Sequence, residues 1–181
     1  MADLILTDRE LTTRSNQIGV LLRPLLRNPR MIACSRFNSS RRIVFGAHQG
    51  QRPSAPPREW FFRTSASGLR AQYFEEWDEL RDGTAFWLRQ SALHVFEVST
   101  TDPFARRIEL LAVHAEPSLP DGGTEYKRGI HVHFSESKRF QHAHIPLSDG
   151  FNHHVLESIT SFTEALERAM ALVGSEILSC A

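Results

Sequence analysis

Histidines concentrate in one part of the chain, with a spacing that could support chemistry. Six of the nine histidines lie between positions 131 and 154, in the segments His131-Val132-His133, His142-Ala143-His144 and His153-His154. Imidazole gains or loses a proton near neutral pH, and its neutral form is the commonest metal ligand in proteins. The sequence therefore predicts a site in this region.

The two His-x-His segments predict the strands of a hairpin, Ile130–Phe134 and His142–Leu147. In the tightest register Ser137-Lys138 forms the turn, and His131 then lies opposite His144 and His133 opposite His142. Directly opposed residues point to the same face of a sheet. A register change of two residues keeps the four imidazoles together, whereas a change of one separates them. Because the turn lacks the Gly or Asn of a tight hairpin, a longer loop is expected.

Other histidines extend the same pattern. If Leu93–Val98 pairs with Ile108–His114, His94 and His114 become cross-strand neighbours. A register that links His114 to His131 keeps all of them on one face. His153-His154 follow a turn-like Asp-Gly pair and are expected in a loop before the final helix.

The first interpretation of the cluster is a metal site. The predicted ligands are His131, His133, His142 and His144 together with a carboxylate, for which Glu136 is the first choice and Glu116 and Asp149 are alternatives. Imidazole and carboxylate donors suit a divalent transition metal such as Zn, Ni, Cu, Fe or Mn.

Two other interpretations stay open. In the first, the same four histidines act as general acid and base without a metal and cleave a phosphodiester, while Arg128, Lys138 or Arg139 stabilises negative charge. In the second, the histidines form a polar hairpin face with no active site. If the protein is an enzyme, the pattern favours a histidine-dependent or metal-dependent hydrolase with nuclease-like chemistry.

Other catalytic motifs are missing from the sequence. It contains no GxSxG, CxxC or HExxH motif, and Gly122-Gly123 lies between predicted strands rather than before a helix. The two cysteines, Cys34 and Cys180, cannot build a disulfide framework. Cys34 lies in an apolar run and is expected to be structural.

The net charge is zero, but its distribution is uneven. Residues 1–70 hold 12 arginines and 4 acidic residues, whereas residues 71–181 hold 9 basic and 17 acidic residues. This asymmetry permits a protein partner or nucleic acid on a basic N-terminal face, as expected for an interaction module or an accessory subunit of a larger assembly. The favoured interpretation is that the two parts of the chain neutralise each other within one fold. No membrane segment or signal peptide is recognised, so a cytoplasmic protein is expected.

The periodicity predicts one α+β domain over residues 1–181. A capping box at Thr7–Glu10 begins an N-terminal helix over residues 8–22, and an amphipathic helix ends the chain, capped at Ser161 or at Ser158. Between them an antiparallel meander of about five to seven strands is expected. A Pro-rich loop is expected over residues 49–58. The apolar residues of Leu69–Leu80 recur at helical spacing, which is typical of a helix that packs against the core.

Overall fold

The computed structural model describes residues 4–26, 28, 32–98, 108–117, 129–134, 143–146 and 153–180. Its strands and helices, in chain order, are β1 (Ile5–Leu6), α1 (Asp8–Leu21), β2 (Ala33–Ser39), β3 (Arg42–His48), β4 (Phe62–Arg63), β5 (Leu69–Glu79), β6 (Phe86–Glu97), β7 (Ile108–Ala115), β8 (His131–Phe134), β9 (Ala143–Pro146) and α2 (Ile159–Leu172).

All nine strands of the described residues belong to one antiparallel sheet. Seven of them run across it in the order β2-β3-β5-β6-β7-β8-β9, while the two-residue strands β1 and β4 pair with β6 and β5. Each neighbour in the main path is the next long strand in the sequence, as in a meander. The predicted α+β class, with a helix on either side of the sheet in sequence, is confirmed. The prediction of a single domain includes residues outside the described part and stays a prediction.

The two helices begin where their side chains cap the first turn. Thr7 and Glu10 form the predicted capping box, with the Thr7 backbone N–H donating to the Glu10 carboxylate at 2.8 Å. For α2 the structure selects the earlier of the two predicted caps, because the Ser158 hydroxyl accepts from the Ser161 backbone N–H at 3.1 Å.

One face of the sheet packs against both helices and forms the core. The helices contribute their apolar stripes, and the strands contribute every second residue, as the two-residue period of a strand requires. The buried residues of the shared core include Leu11, Ile18, Tyr73, Trp77, Leu93, Val95, Leu111, Val113, Val132, Phe162, Leu166 and Met170.

The helical assignment of Leu69–Leu80 is wrong, because this segment is strand β5. Along it, Leu69, Ala71, Tyr73, Glu75 and Trp77 are buried, and the residues between them are half-buried. The apolar spacing fits a period of 3.6 almost as well as a period of 2, but aromatic residues favour a strand that is covered on both faces. The composition of the sequence predicts two strands in this region, Thr84–Arg89 and Leu93–Val98, and the structure has one continuous strand there, β6.

The segment after β3 covers part of the second face of the sheet. Trp60 is fully buried against Gly46, where a side-chain carbon would overlap its indole ring. Phe61 meets Phe96 of β6 edge to face at 6.2 Å between ring centroids. The aromatic residues that follow the Pro-rich loop therefore cover part of the sheet face opposite the helices.

Candidate metal centre

A cluster of four histidines lies on the sheet face opposite the helices. Its members are His94, His114, His131 and His133. Its residues alternate along β6, β7 and β8 with core residues such as Val95, Val113 and Val132. His114 of β7 lies directly opposite His131 of β8 in the strand register. Because opposed residues share a face, the predicted link between β7 and β8 histidines is confirmed.

Three imidazoles converge within this cluster. One ring nitrogen each from His114, His131 and His133 lies within 4.8 Å of the other two. The ring centroids are 4.4 Å apart for His114 and His133, 4.6 Å for His131 and His133, and 6.0 Å for His114 and His131. We call these residues the histidine triad. Their spacing gives the protein a set of three nitrogen donors that could hold a metal ion.

The triad is largely removed from solvent. His131 is fully buried, His114 and His133 are half-buried, and the Nε2 atom of each ring is inaccessible to solvent. Nδ1 of His131 lies 2.9 Å from the carbonyl oxygen of Gly129. Since a carbonyl only accepts hydrogen bonds, Nδ1 is the donor, and in neutral His131 the lone pair resides on Nε2. Such a hydrogen bond is the usual way in which a protein orients a histidine ligand.

A fourth histidine adjoins the triad. His94 of β6 meets His114 at 5.0 Å between ring centroids, with the planes at 65°. Strand pairing places His94 opposite Ala112 and His114 opposite Ala92, so the two histidines are diagonal neighbours. The expectation that they are cross-strand neighbours is confirmed. Nδ1 of His94 also lies 2.7 Å from Oε2 of Glu109.

The register of the β8–β9 hairpin differs from the tightest predicted one by two residues. His133, not His131, lies opposite His144, and His131 lies opposite Pro146. The last pair of this register joins Phe134 to Ala143. Residues 135–142, on which the expectation of a longer loop falls, lie outside the described residues. A change of two preserves the face of every strand position.

The predicted site residues therefore have different outcomes. The structure brings His131 and His133 together with His114. His114 is not among the four predicted ligands, and the sequence places it on the same face only through a further strand pairing. His144 is placed by its backbone, opposite His133. His142, Glu136 and Asp149 lie outside the described residues. Glu116 directly follows β7 and is half-buried, and it is not part of the donor group.

Two other polar clusters were missed at the level of sequence. His48 is buried, and its Nε2 lies 2.6 Å from the Ser35 hydroxyl oxygen across the β2–β3 pair. Burial lowers the pKa of His48. Arg14 of α1 forms a fully buried ion pair with Glu75 of β5. For the Arg14–Glu75 pair, the signal in the sequence is Glu75 itself, a carboxylate at a position that the two-residue period of β5 places toward the core.

Cys34 has the properties expected of a structural cysteine. Burial, reinforced by the negative charge of Glu75, raises the pKa of its thiol to about 12. A thiolate is the reactive form of cysteine, so Cys34 is protonated and unreactive at neutral pH.

Arginines of the basic N-terminal half bind carboxylates of the acidic remainder. Arg42 contacts Asp78 at 2.7 Å and Glu76 at 3.4 Å, and Arg41 contacts Glu79 at 3.8 Å. These contacts are the internal neutralisation favoured by the charge analysis. The alternative of a protein or nucleic-acid partner stays a prediction.

Fold and site together define an α+β protein with a candidate three-histidine metal centre on an antiparallel sheet. No protein-family model matches the chain, and neither the search of curated proteins nor that of solved structures finds a match. Among the described residues, no helix is long and apolar enough to cross a membrane.

Proposed function

We propose that the protein binds a divalent transition-metal ion through His114, His131 and His133, and that a water on this ion hydrolyses a phosphodiester or a similar ester. The observation that carries the proposal is the convergence of three ring nitrogens within 4.8 Å. Three donors from two adjacent strands of a sheet form a stable framework, because strand pairing fixes the positions of their backbones.

The donor type determines the class of metal. Imidazole suits Zn, Cu, Fe and Ni, whereas Ca and Mg prefer oxygen ligands. A tetrahedral ion with metal–nitrogen bonds of about 2.0–2.1 Å holds its nitrogens about 3.3 Å apart. The donor atoms therefore have to approach by about 1.5 Å at most. Side-chain rotation on fixed strands can supply a movement of this size.

Hydrolysis is the reaction that a three-histidine site supports best. Three protein ligands leave a coordination position for water, and a bound Zn²⁺ lowers the pKa of that water to about 7. An ion held by the triad would supply a hydroxide for attack on phosphorus, with the bond to the leaving oxygen breaking and that oxygen taking up a proton from water. A fourth protein ligand from Glu136, His142 or His144 would instead close the site, as in structural metal centres.

Metal binding is tested on protein purified without a His tag and stripped with a chelator. Zn²⁺, Ni²⁺, Fe²⁺ and Mn²⁺ are titrated against a chromophoric chelator, and we expect one ion per chain for at least one metal. The variant His131→Ala/His133→Ala should lose this binding. A matched control, His153→Ala/His154→Ala, removes two histidines from the same sequence cluster and should keep it. Substoichiometric metal in the wild type, or equal binding in the first double variant, would overturn metal binding.

Hydrolysis is tested separately with bis(p-nitrophenyl) phosphate. We expect turnover in the metal-loaded protein, loss in the chelated protein and recovery when metal returns. Turnover that persists after chelation would favour metal-free histidine chemistry. Metal binding without turnover would remove the hydrolytic half of the proposal and favour a non-catalytic role.

A further inference from the structure

His94 and Glu109 form a unit beside the histidine triad that has no place in the donor set. The carboxylate of Glu109 lies 2.7 Å from Nδ1 of His94, and both side chains are partly exposed, at 35% and 19% respectively. A carboxylate that accepts from one ring nitrogen restricts the rotation of an imidazole about its χ2 angle. The His94 ring is therefore anchored at one edge.

Two aromatic side chains stack on the same ring. Phe74 of β5 stacks on it at 5.9 Å with the planes at 14°, and Phe96 of β6 does so at 5.9 Å and 17°. Offset stacking of this kind is favourable in addition to the apolar area that it buries. A hydrogen bond and two stacking partners leave the His94 ring little freedom to reorient.

The fourth contact of His94 is with a member of the triad. It meets His114 at 5.0 Å with an interplanar angle of 65°, which is an edge-to-face geometry. We propose that the His94–Glu109 pair is a positioning unit that fixes the His114 ring for metal coordination and so sets the metal affinity of the site. This inference rests on the proposed metal-binding function.

The physical basis of this role is preorganisation. A ligand ring that is already held near its coordinating orientation loses less rotational freedom when the ion binds, so the affinity is higher. Residues that support metal ligands in this way typically change metal affinity by about 10- to 100-fold when they are removed. His94 supports the His114 ring by packing against it, and Glu109 supports it indirectly by anchoring the His94 ring.

The test measures metal dissociation constants for four variants of the pair and one control variant, with the metal that binds the wild type most tightly. His94→Ala removes the ring, and we expect about 10- to 100-fold weaker binding. His94→Phe keeps a ring against His114 but loses the hydrogen bond to Glu109, so its affinity should fall between wild type and His94→Ala. Glu109→Ala should weaken binding, whereas Glu109→Gln keeps a hydrogen-bond acceptor and should bind nearly as the wild type does. Glu97→Ala removes an exposed carboxylate from β6 and is the matched control.

The visible absorption spectrum of bound Co²⁺ separates positioning from direct coordination. In His94→Ala we expect the same number of imidazole ligands, with shifted absorption bands because the His114 ring is reoriented. Loss of one imidazole ligand would show that His94 coordinates the metal itself and would overturn the positioning role. Wild-type affinity in both His94→Ala and Glu109→Ala would also overturn it, while leaving the proposed metal binding intact. If the wild type fails to bind metal, the proposed function itself fails.

Discussion

The guanidinium of Arg14 on α1 lies 2.6 Å from the carboxylate of Glu75 on β5, and both side chains are completely inaccessible to solvent. Several neutral groups complete this buried pair. Tyr73 and Trp77 donate to the Glu75 carboxylate from the same strand, and Arg14 also donates to Thr163 of α2 at 2.8 Å. The cluster therefore joins α1, α2 and the sheet at one point of the core.

Replacing Glu75 with glutamine should destabilise the protein strongly. The variant leaves the Arg14 charge buried without its counter-charge, and breaking a buried pair in this way costs about 3–5 kcal/mol. The free energy of unfolding from urea denaturation at pH 7 measures the loss. The control is Asp8→Asn, which breaks the exposed ion pair with Arg36 and should cost less than about 1 kcal/mol. Similar losses in the two variants would contradict the role assigned to Glu75.

The sheet could be predicted from the sequence because most of its strands carry a clear two-residue period and turn residues between them. Segment β5 shows where this reasoning fails. Its inward positions carry a charged residue, Glu75, and its outward positions carry Phe74, so the apolar alternation is blurred. The ring that packs against the outward Phe74 belongs to His94 of β6, elsewhere in the sequence, and a local pattern cannot contain that information.

The candidate site was predictable only in part, for a related reason. The His-x-His spacing identifies His131 and His133 as members of one face, because that follows from strand geometry alone. Which partner joins them depends on the pairing of β7 with β8, across a long connection. His94 and Glu109 are fifteen residues apart in sequence, and only the β6–β7 pairing brings them together.

Gly46 and Gly19 should respond to alanine in opposite directions. A Cβ atom at Gly46 would lie 2.7 Å from Cζ3 of Trp60 and closer still to Cε3, so the buried indole would have to move. Overpacking of this kind typically costs about 1–3 kcal/mol. Gly19 lies in α1 with nothing within 4 Å of its Cβ position, and alanine there should stabilise the helix by roughly 0.5–1 kcal/mol. Thermal denaturation of the two variants measures both signs, and a stable Gly46→Ala protein would contradict the packing of Trp60.

Metal binding should stabilise the folded state. An ion that binds only the folded protein adds about 2.7 kcal/mol at a free concentration of 100 times its dissociation constant. We therefore expect Zn²⁺ to raise the melting temperature of the stripped wild type and a chelator to reverse the rise. Mg²⁺, which prefers oxygen ligands, should have no effect. An equal Zn²⁺-dependent rise in His114→Ala would indicate binding elsewhere on the chain.

His48 should make the stability of the protein depend on pH. Burial lowers its pKa in the folded state below the ordinary value of 6.5, so the unfolded chain binds the proton more tightly. The stability that neutral His48 contributes is therefore fully present above about pH 6.5 and is lost as the pH falls through the folded-state pKa. His48→Phe cannot titrate, and its free energy of unfolding should fall less than that of the wild type between pH 7.5 and pH 5. Urea denaturation of the metal-free proteins at several pH values measures both slopes. Parallel slopes would show that His48 is not responsible for the acid sensitivity in this range.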